Sequence, residues 1–542
     1  MSRSCTSQIL FASVLGGLLI QGYARANDER FGEVDFPISC SSAAQAQFNR
    51  GVAMLHSFFY PETIKAFSAL AQQEPTCAMA YWGIAISQRP NPLVGPFPGD
   101  VLKAGWEAIE KARAAPQKTD RERDWIEALA AFFENYESVP QKRRTASYEA
   151  AMARLHARYP NDAEAAVFYA LALNEAADPT DKSYAKPLMA AAILEKLETQ
   201  HPNHPGIAHY IIHSYDYPEL AARGVIAANR CAHLAPSAPH ALHMPSHVYS
   251  TLGMWDDVIG SDLASDETTI AYTARVNPQA AANPAANPAR YHSLDFLANA
   301  YLQTARDREA KRIVDIRNAV TEFPAGFRYS GHTAYAAIPV RYAFERGAWA
   351  EAASLTIPKT PFAQAEAIVW FGRAVGAARS GDMAAADEAL DQLRALRDIL
   401  VKAHDAYWSG QVEIQEKAAA AWVGLHQHRT ATAIDLMRQA ADLEDKSGKH
   451  VAMENRLSPM RELLGELLLA ADEPRQALVE FEASLRDNPN RYRSFAGAAQ
   501  AAQRLGDREQ AKTYYEKLIA LASNADTERP DLVQAKQFLA AR

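Results

Sequence analysis

One pattern recurs along this chain and dictates what it can fold into. "AAQAQFNRGVAMLHSFFYPETIKAFSALAQQEP" (Ala43 to Pro75) sets apolar residues at three- and four-residue spacing in two runs, broken at Phe59-Tyr60-Pro61 and closed by a proline. The same pattern returns in "MRELLGELLLAADEPRQALVEFEASLRDNP" (Met460 to Pro489) and "RYRSFAGAAQAAQRLGDREQAKTYYEKLIALA" (Arg491 to Ala522). Each unit predicts helix, tight polar turn, helix, and a stop before the next start. No run alternates with the two-residue period of a strand. A hairpin of two amphipathic helices cannot bury its apolar faces alone, so successive hairpins must stack on one another. At 542 residues the chain exceeds one core of ordinary size, which a stacked array accommodates.

These units resemble the tetratricopeptide repeat. The likeness rests on Gly465, Ala477, Phe481 and Pro489 in one copy and on Gly497, Ala511 and Tyr515 in the next. It continues in "YLQTARDREAKRI", with Tyr301 and Ala310, and in "RYAFERGAWAEAASL", and covers most of residues 43 to 523. The resemblance implies an all-α fold, a right-handed α-solenoid of tetratricopeptide-like helical hairpins. The phrases "FNRGVAMLHSFFYPETIKAF", "CAMAYWGIAIS" and "APHALHMPSHVYSTLGMWDD" are similar to those of a group of exported bacterial tetratricopeptide proteins of undefined activity. That likeness supplies no reaction. Two proline-rich stretches interrupt the array, "RPNPLVGPFPGD" (Arg89 to Asp100) and "VNPQAAANPAANPAR" (Val276 to Arg290). The second carries three Asn-Pro steps, and no helix continues through those. It is expected to cover the mouth of a groove, dividing an N-terminal array (27–275) from a C-terminal one (291–542).

The first 26 residues read as an address. Arg3 precedes the apolar run "ILFASVLGGLLI", and Ala24 and Ala26 fit a signal-peptidase site. Cleavage after Ala26 would place a monomeric protein in the periplasm or outside the cell, with no membrane span once the signal is removed. Hydrophobic content of 48% and charged content of 22% are those of a globular chain. The formal charge of −8, with no Lys/Arg stripe, excludes nucleic acid as a partner. Export also makes the cysteines legible. Cys40 and Cys77 flank the first hairpin and are expected to pair as a disulfide, leaving Cys231 as a free buried thiol.

Six of the sixteen histidines fall between residues 209 and 255. His209 and His213 are four residues apart, as are His243 and His247, so each pair shares one helix face. The two pairs are 34 residues apart, as are Pro202 and Pro236, and Tyr215 and Tyr249. Thirty-four residues is the tetratricopeptide period, so both pairs hold the same place in consecutive repeats. Matching Tyr301 to Tyr249 aligns His292 with His240, Asp295 with His243, and Asn299 with His247. The resemblance implies that these first-helix positions line a central concave groove.

Four imidazoles and a carboxylate suit a divalent transition metal such as Zn, Cu or Fe. The expected ligands are His209, His213, His243 and His247, completed by His292 or Asp295. His240, Asn299 and Arg341 are expected to line the groove, with His332 just before the fourth helix. His233 is out of register; His56, His156, His201, His204, His404, His426, His428 and His450 are read as structural. Pro245, between His243 and His247, should bend its helix, and Ser246 and Tyr249 could support the ligands. No nucleophile elbow, phosphate loop or dinucleotide fingerprint is present. Two readings follow. In one, the groove holds a metal or grips a peptide or small-molecule ligand, with metal-dependent catalysis at an open coordination position left open. In the other, the chain is a non-catalytic, peptide-binding scaffold of the periplasm.

Overall fold

A computed structural model describes residues 29–283, 285, 287–320, 323, 329–448 and 456–541. The expected signal segment and His450 lie outside the described residues. Among those residues the secondary structure is helical, and the lone β-bridge joins Cys77 to Gln117. Helices pack in sequence-adjacent pairs, from Ser42–His56 with Tyr60–Gln73 to Tyr492–Arg504 with Arg508–Leu521. The chain is therefore an all-α stack of helical hairpins. Side-chain caps start several helices: Ser41 accepts from the Ala44 amide, and Thr119 and Glu122 form a reciprocal capping box. Asp162, Asp382, Asp405 and Asp507 do the same work elsewhere. No helix among the described residues is long and apolar enough to cross a membrane.

The repeat consensus has a visible packing cause. Phe481 is fully buried between Gly465 and Gly497, where an added Cβ would lie 2.8 and 2.2 Å from its ring. Phe67 sits the same way between Gly51 and Gly83, at 2.6 and 2.4 Å. The glycines let one phenylalanine wedge into the first helices of two successive hairpins.

Contacts far apart in sequence hold the stack closed. The extended segment before the first helix runs past two later repeats: Glu33 N donates to Asn203 O, and Arg30 and Ser237 exchange hydrogen bonds. Phe36 on this segment is fully buried against Phe48, Trp82 and Trp125. Cys40 and Cys77 are joined by a disulfide across the first hairpin, with Cα atoms 5.6 Å apart, and Cys231 is free and buried. Helix Ser42–His56 packs directly on helix Pro205–Tyr215. From the other end, Trp255 Nε1 donates to Asn490 O at 2.7 Å, and the Tyr492 amide donates to Gln303 Oε1 at 3.0 Å. One buried apolar cluster runs from Phe31 to Tyr342 and a second from Ala336 to Ala501.

The segment 276–290 is tied down where it is described. Asn287 Nδ2 donates to Thr273 Oγ1 at 2.7 Å and Arg290 pairs with Asp266, both on helix Trp255–Val276. It forms a short helix, Pro278–Ala281, and a 3-10 turn, Pro288–Arg290, lying back along the helix that precedes it.

Candidate metal centre

Three neighbouring helical segments supply the histidines. His209 and His213 lie on Pro205–Tyr215, and His292 lies on Tyr291–Gln303. Between them Pro239–His243 and Pro245–Thr251 carry His240, His243 and His247. These two pieces form one bent helix. Pro245 has no N–H to give, and the His247 amide reaches back only three residues, to Met244 O at 3.2 Å. The bend lies between His243 and His247, whose Nε2 atoms are 3.0 Å apart. His209 and His213 meet in the same way, Nε2 to Nε2, at 3.1 Å.

These side chains do not line an open groove. His209, His213, His243 and His247 are 1, 6, 2 and 1% exposed, sealed into the interior. Phe58 covers one side, its ring 4.5 Å from His209 and 5.3 Å from His240. Phe296 covers the other, 4.9 Å from His243 and 5.3 Å from His247. The four predicted histidines fall into overlapping groups, and His213 and His247 also come together with Asp216. His209 and His213 group with His240, and His243 and His247 group with His292, each group keeping its ligand atoms within 4.8 Å of one another. His240, expected only to line a groove, thus completes one group, and its Nε2 is buried without a hydrogen-bond partner.

Asp295, the expected alternative to His292, is engaged by an arginine. It is one turn along from His292 and faces the next helix, where Arg341 holds Oδ1 at 2.8 Å and Oδ2 at 3.2 Å. Arg341 is fully buried and also donates to Arg456 O, so both residues serve an ion pair between repeats rather than the histidines. Asn299 is buried and accepts from Gln303 Nε2 at 3.3 Å. It also borders a cleft with Ser250 and Thr251, which follow His247 by one turn. His332 is buried beside Thr360, and His233 is exposed.

Behind the ring nitrogens stand acceptors that the sequence did not announce. His243 Nδ1 meets Asp262 Oδ1 at 2.5 Å, and His247 Nδ1 meets Asp216 Oδ2 at 2.9 Å. His209 Nδ1 donates to the carbonyl of His56, at the end of the first helix, at 2.6 Å. The His56 carbonyl fixes the proton of His209 on Nδ1, and ionised carboxylates would do the same for His243 and His247, leaving each Nε2 lone pair outward as in metal-binding imidazoles. With both Asp carboxylates ionised, two lone pairs would face each other across the His243–His247 contact. A proton on Asp262, which burial favours, turns the contact into an N–H···N hydrogen bond, and a metal ion between the two nitrogens is the alternative. Two nitrogens bound at ~2.0–2.1 Å to one tetrahedral zinc lie about 3.3 Å apart, close to both observed separations.

Burial shapes the charges here. It lowers His209 to about 3, with the nearby His247 and His56 adding to the fall and the hydrogen bond to the His56 carbonyl opposing it. His240 and His243 are pushed well below the usual range by burial and then by neighbouring imidazoles. These three imidazoles are thereby held toward the neutral form, the one that binds metal. Asp262 is pushed well up, first by burial.

A second buried network lies alongside. Glu164 accepts from His56 Nε2 at 2.9 Å and His204 Nε2 at 2.8 Å, while His56 Nδ1 meets Tyr210 OH at 2.9 Å. Burial raises Glu164, but the two imidazoles outweigh it and hold the carboxyl well below its ordinary range. Sequence reading took His56 and His204 as structural and did not single out Glu164. His56 and Glu164 are 108 residues apart, and no local spacing links them.

No protein-family model matches the chain, and no curated protein matches it. Among solved structures it is similar to a tetratricopeptide repeat protein from Parabacteroides merdae, at 12% identity over 56% of this chain and 98% of that one, with a TM-score of 0.31. Yeast Tom70 aligns at 13% identity over 92% and 95%, with a TM-score of 0.33. A human IFIT1 dimer with m7Gppp-AAAA aligns at 12% over 89% and 90%, with a TM-score of 0.36. The repeated Gly–Phe–Gly wedge and the paired helices define the architecture from within: the chain is a tetratricopeptide-like α-solenoid.

Proposed function

We propose that this protein binds a transition metal in the interior of its helical stack, through neutral imidazoles presented in register by successive repeats. One observation carries the reading. His243 and His247 are held by buried carboxylates at Nδ1 and face each other at Nε2, 3.0 Å apart. Buried polar atoms left without partners cost about 1–3 kcal/mol each, whereas a structural zinc contributes about 10–16 kcal/mol. A metal would also satisfy the Nε2 of His240, which has no hydrogen-bond partner, whereas within each i, i+4 pair the two rings already hydrogen-bond to each other.

Zinc, copper and iron fit the nitrogen donors, and three such ligands leave a coordination position for water or a small ligand. A ligand would approach from the cleft beside Ser250, Thr251 and Asn299. We place the protein in the periplasm or outside the cell, on the reading of its first 26 residues and on the Cys40–Cys77 disulfide.

The test is metal analysis of untagged protein prepared without added metal. Bound Zn, Cu or Fe at one or more equivalents is expected, and His243→Ala should lower that content several-fold while far-UV helicity is retained. Protein that holds no metal, and takes up none of the three on titration, would sink the reading. The second reading, a non-catalytic scaffold with structural histidines, has its own support. In the His56–Glu164–His204 network buried imidazoles hydrogen-bond to a carboxylate, although these three residues also stand close enough to hold a metal.

A further inference from the structure

A single ion would leave part of this cluster unused. We infer that the centre is a pair of metal sites, each holding one late first-row transition ion through three imidazoles. The first is His209, His213 and His240; the second is His243, His247 and His292. This inference rests on the metal-binding reading above and adds to it the number of ions and the ligands of each.

The two sites are the same device displaced by one repeat. Each takes an i, i+4 pair from one helix and a single histidine from the next. In each pair the Nε2 atoms meet at bonding separation for a shared ion, 3.1 Å in the first and 3.0 Å in the second. Each site has its own aromatic wall. Phe58 lies 4.5, 5.9 and 5.3 Å from the rings of His209, His213 and His240. Phe296 lies 4.9, 5.3 and 5.3 Å from those of His243, His247 and His292.

The sites are nonetheless neighbours. His240 and His243, one turn apart on the bent helix, belong to different sites, with ring centroids 6.0 Å apart. His213 and His247 face each other across the gap at 5.8 Å. Asp216 groups with both of these, its Oδ2 holding His247 Nδ1, so one carboxylate braces a ligand of each site. The buried, unpartnered Nε2 of His240 marks the first site as unfinished without an ion. Six nitrogen donors with carboxylates one bond further out suit zinc or copper over magnesium or calcium, which prefer oxygen.

The decisive measurement is stoichiometry. Full-length untagged protein, stripped with a chelator and dialysed to equilibrium against Zn2+ alone, should bind two ions per chain, and Cu2+ alone should give the same count. His240→Gln should retain one ion, His292→Gln should retain one, and the double variant should hold neither tightly. Circular dichroism checks that each variant folds; if one does not, the wild-type count still decides. One ion per chain in the wild type, unchanged by His240→Gln, would overturn the paired site and leave the single-metal reading standing. No ion at all would overturn both.

Discussion

Phe58 stands in the left-handed region, at φ 52, just beyond the first helix. That conformation costs a bulky residue roughly 1–2 kcal/mol, and it places the ring against His209, His213 and His240. Phe58→Ala should leave the stack folded and weaken metal retention, measured as faster loss of bound zinc to a chelator; an unchanged rate would make the residue ordinary core. At the same scale, burial pushes the Cys231 thiol up to about 12. It should resist alkylation in the native protein and react only on unfolding, while mass mapping without reductant recovers the Cys40–Cys77 peptide pair. Opening that disulfide, whose cysteines are separated by 37 positions, should cost about 4 kcal/mol in the chain-entropy picture. Which residues the sequence disclosed follows from distance along the chain. The i, i+4 pairs and their 34-residue register were legible because helix geometry alone brings them together. Asp216, Asp262 and the Glu164 network were not, because their contacts depend on how hairpins stack.

Elements tell the same story with packing in place of chemistry. Helical pairs, the Pro245 bend and the repeat consensus were all readable from periodicity and proline position. The sealed interior was not, since nothing local says that Phe58 and Phe296 will close over the histidines from opposite sides. Nor did the aligned repeats reveal that Asp295, in the row of His209 and His243, would turn to Arg341. The glycine wedge permits a paired prediction. Gly497→Ala would set a methyl 2.2 Å from Phe481 and should destabilise by about 1–3 kcal/mol in urea unfolding. Gly260→Ala, in the helix Trp255–Val276 with no atom within 4 Å of its added Cβ, should stabilise by about 0.5–1 kcal/mol. Equal effects at the two sites would remove the packing explanation of the consensus.

Across the whole molecule, the stack is not a simple line of nearest neighbours. Arg529, near the end of the chain, is buried, forms an ion pair with Asp307, and donates to Leu302 O and Glu345 O. Arg491 bridges Glu345 and Glu462 nearby. With both ends fastened to the middle, fraying from a terminus must break buried ion pairs first. Thermal unfolding followed by tryptophan fluorescence and by circular dichroism should therefore give one coincident transition. Arg529→Ala, which strands the Asp307 charge, should cost roughly 3–5 kcal/mol and separate the two curves. Two transitions in the unaltered protein would mean that the ends are only loosely held.

The burial of the histidines also sets a clock. His209, His213, His243 and His247 are only 1–6% exposed, while His240 and His292 are partly exposed, so full release of an ion is expected to need the surrounding helices to part. The lifetime of a bound metal is then governed by the opening rate of the protein, not by the strength of its nitrogen bonds. Zinc transfer to an excess of chelator should proceed at a rate independent of chelator concentration, matched to amide hydrogen exchange in the helix Pro205–Tyr215. Loading of the folded protein in a cell would be paced by the same opening.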